Sequence, residues 1–165
     1  MAITLTKAVL IDFEQASLLP CSNERTSFSL IYSPPEQLLN KGHLSNSTSD
    51  LFALAITLYE CIAGKPPYQD CNAEILLNLQ LTYPVKKPPR MDEAFFNILA
   101  KATNKASFPK PPRLFPKSEI ETLLKDGIQN RYQQANAMKI NLENYLKRHP
   151  TTKQTPWHKR LFNRR

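Results

Sequence analysis

Glycine is nearly missing from this chain: three residues in 165, against 14 prolines. Turns must therefore be made largely by proline, which fixes φ and gives rigid, extended connections. Cysteine is also scarce. The three (Cys21, Cys61, Cys71) are odd in number, lack metal-type spacing and stand apart from His43, His149 and His158. That pattern argues against a disulfide framework or a structural zinc site and predicts reduced thiols in a cytoplasmic compartment. No long apolar run exists. The most apolar stretch, residues 51–63, is too short to span a bilayer, and the N-terminus lacks the pattern of a signal peptide. Internal repeats are absent. Acid is missing from the end of the chain: Lys147, Arg148, Lys153, Lys159, Arg160, Arg164 and Arg165 have no acidic residue among them. The net charge of +8 thus belongs to a tail, and the rest is close to neutral. A nucleic-acid-binding fold is not indicated.

What is present is mostly helical pattern. "ITLTKAVLIDF" (residues 3–13) reads as two short strands with a turn near Thr6 and Lys7, the second an apolar run suited to burial on both faces. Residues 14–31 are polar and without period, hence a loop. In "YSPPEQL" (32–38) the prolines stop any preceding helix, and Pro35 suits the first turn of a short one. "STSDLFALAITLYECIAGKPPY" (47–68) is the strongest helix signal. Thr48 or Ser49 is expected to cap it, Asp50 favours its positive N-terminal end, and Gly64 followed by two prolines ends it. Its residues 51–63 are apolar almost all round, which predicts a central position in the fold. Residues 73–81 and 92–104 read as amphipathic helices. Four prolines in 105–117 predict an extended insertion, followed by a helix over 118–125. A last helix over 133–147 has Ala137, Ile140, Leu142, Tyr145 and Leu146 as its apolar positions. The tail from 149 on is expected to be disordered or to dock elsewhere.

Four of these segments, in order, resemble the C-terminal lobe of a protein kinase, most like the bacterial serine/threonine kinases. "LIDFE" (10–14) resembles the strand leading into Asp-Phe-Gly, and "YSPPEQL" the Tyr-x-Ala-Pro-Glu end of the activation segment. "SDLFALAITLYECIAGKPPY" is similar to the central helix of that lobe, and "NRYQQANAM" (130–138) to the arginine-containing segment before the last helix. The resemblance covers roughly residues 3–148. It implies a mainly α, C-lobe-like (α+β) fold with a small N-terminal β-hairpin. The activation segment would be 12–36, the central helix 49–63, the proline-rich insertion 105–117 and the last helix 133–147, followed by a basic tail at 149–165.

The resemblance also assigns roles. Asp12 stands at the position that chelates the magnesium bridging the ATP phosphates. Glu36 matches the glutamate that pairs with an arginine, here Arg131. Asp50 matches the aspartate that accepts hydrogen bonds from the catalytic-loop backbone. Thr26, Ser27 and Ser29 lie where phosphorylation orders the loop in active kinases. Two positions depart from the family: Glu14 replaces the glycine of Asp-Phe-Gly, and Phe28 replaces a glycine before the Pro-Glu motif.

The sequence does not contain the Gly-rich phosphate loop, the strand lysine with its glutamate partner, or the catalytic base and metal-binding asparagine. That asparagine lies roughly 13 residues before the Asp-Phe-Gly aspartate, and Asp12 has 11 predecessors. The expectation is a C-terminal portion of a serine/threonine-kinase-like protein, inactive alone and not holding Mg-ATP tightly by itself. The alternative is a pseudokinase remnant acting as an interaction module. Without the helix that leads into the catalytic loop, the central helix 51–63 should expose an apolar stripe for a protein partner or for self-association. The tail 150–165, with Trp157, Leu161 and Phe162 among cations, suits an anionic membrane surface and makes a peripheral location the second expectation after the cytoplasm.

Overall fold

In the computed structural model, residues 16, 29–106, 108 and 112–149 are described. Six α-helices follow one another: α1 (Pro35–Leu38), α2 (Ser47–Ala63), α3 (Ala73–Thr82), α4 (Glu93–Ala102), α5 (Lys117–Gln129) and α6 (Ala135–Arg148). Two 3-10 turns, Gly42–Leu44 and Pro112–Leu114, complete the regular structure of the described residues. There is no strand among the described residues, and the expected hairpin over 3–13 lies outside them, as does the tail from 150.

α2 begins two residues earlier than expected because its cap is neither Thr48 nor Ser49. Asn46 accepts the amide of Thr48 at 2.8 Å, and the Ser49 hydroxyl takes the Asn46 amide at 3.3 Å, closing a capping box. Gly64 ends the helix at φ 75°, in the left-handed region that a side chain would strain. Asn72 and Asp92 cap α3 and α4 through their side-chain oxygens.

The main core forms where α2, α4 and α6 meet. Ala55, Leu99 and Ala102 have no accessible surface there, and Leu51, Phe95 and Met138 pack around them. The contribution of α6 corrects the expected apolar positions. Met138 is its buried residue, Leu142 and Tyr145 are half-buried, and Ala137, Ile140 and Leu146 face solvent.

The segment after α4 differs more. Instead of a bare extended loop, Phe108 and Phe115 meet edge to face at 5.8 Å and build a second core with Leu124. Leu39 and Leu44 pack against this cluster from the chain just after α1. α5 also runs four residues beyond its expected end at 125. Gly127 on α5 lies so close to the backbone of Lys105 and Ala106 that a Cβ there would meet the Ala106 amide nitrogen at 2.8 Å. Phe108, Phe115 and α5 thus pack against the segment that follows α1.

Candidate functional site

Glu36 and Arg131 are 95 residues apart in sequence and in contact in space. α1 starts at Pro35, whose fixed φ suits a helix start, and this places the Glu36 carboxylate inward, fully buried. Arg131 follows the C-terminus of α5 and is 3% exposed. Its guanidinium meets the carboxylate as a fork: Nη1 donates to Oε1 at 2.7 Å and Nη2 to Oε2 at 3.0 Å. Nε donates to the Asn104 carbonyl at 2.7 Å, and the guanidinium lies 4.9 Å from the centre of the Phe52 ring. The Ser49 hydroxyl adds a third donor to Glu36 at 2.8 Å. Both charges are therefore desolvated but well satisfied, which is the condition under which a buried pair holds. The pair ties α1, the first turn of α2, the end of α4 and the turn before α6 into one unit.

Asp50, one residue beyond Ser49, is exposed; partial desolvation raises its carboxyl above the usual carboxylate range, and it has no hydrogen-bond partner among the described residues. Ser29 is exposed; its amide donates to the Ser33 hydroxyl at 3.1 Å and its carbonyl accepts the Tyr32 and Ser33 amides. Asp12, Glu14, Thr26, Ser27 and Phe28 lie outside the described residues. Among the described residues no three carboxylate, imidazole or thiol groups converge.

Around the end of the loop the structure adds residues that sequence reasoning missed. The Tyr32 hydroxyl donates to Glu60 on α2 at 2.6 Å; that bond and burial raise its pKa. Ile31, Pro66, Tyr68 and Leu76 line an open, mainly apolar cavity of about 400 Å³ with Cys71 at its edge. Behind it, Gln80 on α3 is 1% exposed, and its amide Nε2 donates to the carbonyls of Leu30 (3.2 Å) and Ile31. Lys105 reaches Gln80 from the other side. These residues carry no local pattern; the one legible signal is Pro84, which cannot supply the amide that the Gln80 carbonyl would otherwise receive.

Comparison with known proteins fits this geometry. A family model for protein tyrosine and serine/threonine kinases matches residues 8–112, more than half of the chain. The chain belongs to the protein kinase family. It is 32% identical over 73 residues to an Aurora kinase of Candida albicans, covering 44% of this chain and 13% of that protein. It is 33% identical over 93 residues to the serine/threonine-protein kinase YPK2/YKR2 of Saccharomyces cerevisiae, covering 54% of this chain and 13% of the relative. With the serine/threonine-protein kinase PknH of Mycobacterium tuberculosis it shares 34% identity over 61 residues, 34% of this chain and 10% of that kinase. The chain therefore spans about a tenth of the length of these relatives and represents part of a kinase domain. Its described residues have the mainly helical build of a kinase C-lobe. α5 follows the stretch that the family model matches. No helix among the described residues is long and apolar enough to cross a membrane.

Proposed function

We propose that these 165 residues are the C-terminal lobe portion of a serine/threonine protein kinase, inactive alone. The observation that carries the reading is the buried Glu36–Arg131 fork with Ser49 and Phe52 around it, on a chain whose kinase relatives include serine/threonine kinases. Phosphoryl transfer depends on positioning and on charge stabilisation by a lysine, metal ions and loop residues. Bound Mg-ATP supplies the transferable phosphoryl group in this family. The residues of this chain supply the frame: the fork fixes the end of the activation segment against the core. Asp50, exposed and without a partner among the described residues, is the acceptor for catalytic-loop backbone amides. Those amides, the lysine and the catalytic base come from further polypeptide.

A second reading, a pseudokinase-type interaction module, is favoured by one observation. On α2, Leu54 and Ile62 are 44% and 52% exposed, and Cys61 beside Ile62 is exposed too. This is an apolar stripe on a helix that is otherwise core. Glu14, in place of the glycine of Asp-Phe-Gly, points the same way. Under both readings further polypeptide packs on this stripe.

Phosphotransfer to a generic protein substrate separates the two readings. It would be measured with this chain and with a polypeptide extended by a catalytic loop and N-terminal lobe. The kinase reading expects transfer from the extended form only. The module reading expects no transfer from either. Transfer by the 165 residues alone would contradict both.

A further inference from the structure

Lys105 is a half-buried cation with an unusual set of partners. Its Nζ donates to the backbone carbonyl of Gln80 and, at 3.1 Å, to the Tyr68 hydroxyl, and it lies 4.6 Å from the centre of the Tyr68 ring. The need for it is written in the backbone. In α3 the Leu79 carbonyl is taken by the Tyr83 amide, but the next carbonyl, Gln80, would turn to residue 84. Pro84 has no N–H, so this last-turn acceptor is orphaned. Lys105 fills the gap with a cation at the negative end of the helix, where both hydrogen bond and dipole favour it. The Tyr68 hydroxyl, receiving from Lys105, donates onward to the Tyr83 carbonyl. One ammonium thus serves the Gln80 carbonyl directly and is linked through Tyr68 to the Tyr83 carbonyl.

The same Gln80 holds the end of the activation segment. Its backbone carbonyl faces Lys105, while its side-chain amide grips the Leu30 and Ile31 carbonyls. Oε1 of that amide is buried and has no partner among the described residues, so the side chain is oriented by the two carbonyls alone. The groups facing Lys105 are Tyr68 from the α2–α3 connection and the Arg131 guanidinium from the turn before α6, with Tyr59 of α2 near Tyr68. α5 presents Gly127, which has no side chain. Among the described residues no carboxylate forms an ion pair with Lys105.

We propose that Lys105 is a proton-operated latch: protonation of its Nζ tightens the seat of the Leu30–Ile31 backbone through Gln80, and loss of that proton loosens it. An ammonium offers three donors, a full charge for the helix end and a cation for the Tyr68 ring; a neutral amine loses the charge and the ring contact. Burial, and then the Arg131 guanidinium, push the lysine down from 10.5 to about 7, so the change falls within a physiological interval. Between those two values the unfolded chain carries the proton and the folded chain does not. Global stability therefore rises with pH across that window, while the tie itself slackens.

The test is an NMR titration of the full chain, following the Lys105 side-chain Cε resonance and the carbonyl carbons of Leu30, Ile31 and Gln80. The latch predicts one shared midpoint near 7, and loss of that titration at the three carbonyls in Lys105→Arg, whose guanidinium stays charged. A Lys105 midpoint near 10.5 overturns the proposal from the wild-type protein alone, even if the variant fails to fold. So do Leu30 and Ile31 carbonyls that stay still through the Lys105 transition, or that titrate unchanged in Lys105→Arg.

Discussion

On one side of α2, Phe52, Ala55 and Ile56 have no accessible surface; on the other, Leu54 and Ile62 are about half exposed. The two faces are alike in composition and share one backbone. Their fates differ because α4 and α6 pack on Ala55 together with Leu51 and Tyr59, and the Arg131 guanidinium lies against Phe52. Apolar character makes a helix able to be central, but its neighbours decide which faces are. The exposed stripe is in this sense unfinished core, and the account assigns its completion to further polypeptide of the kinase.

That contrast can be broken from its buried side first. Phe52→Ala removes a fully enclosed ring and the surface on which Arg131 rests. It should cost about 3–5 kcal/mol, read as a lower urea midpoint. Arg131→Met leaves Glu36 buried and without its partner, which should also cost about 3–5 kcal/mol; unfolding followed by circular dichroism measures it. Gly127→Ala tests the seam between α5 and the 105–106 backbone. The added methyl meets backbone atoms that cannot swing away, and overpacking of this kind costs about 1–3 kcal/mol, seen as a fall in Tm. At the small end, Leu54→Ser and Ile62→Ser should shift the stability of the isolated chain by no more than about 0.5 kcal/mol. The same two changes should lower binding of a hydrophobic dye. A loss as large as that of Phe52→Ala would mean that the stripe is core after all.

The regular helices are largely legible from periodicity and punctuation: Gly64 after α2 and Pro35 at the start of α1. The errors have local physical causes. Asn46 won the α2 cap from Ser49 because Ser49 is used twice, closing the capping box and donating to Glu36. Met138 does not stand out beside the aliphatic residues of α6, although it is the buried residue of that helix in the core. Prolines in 105–117 point to an irregular backbone, but proline says nothing about Phe108 and Phe115 finding each other and Leu124.

The candidate site divides in the same way. Glu36 and Arg131 could be set side by side only through the order of the kinase-like motifs, since no local rule links residues 95 positions apart. Lys105 and Gln80 were not legible, because their partnership depends on a missing amide at Pro84 and on packing of three distant segments. Asp12, with which the kinase resemblance begins, lies outside the described residues and gains no geometry here.

The most direct measurement is the thermal midpoint of the 165-residue chain with and without saturating Mg-ATP. A ligand that binds the folded chain at 100 times its Kd adds about 2.7 kcal/mol of stability, so even modest binding is visible. The account predicts no shift in Tm, because the residues that cradle the phosphates are supplied by further polypeptide. A rise of several degrees, dependent on both magnesium and ATP, would contradict it and place a working nucleotide site within this chain.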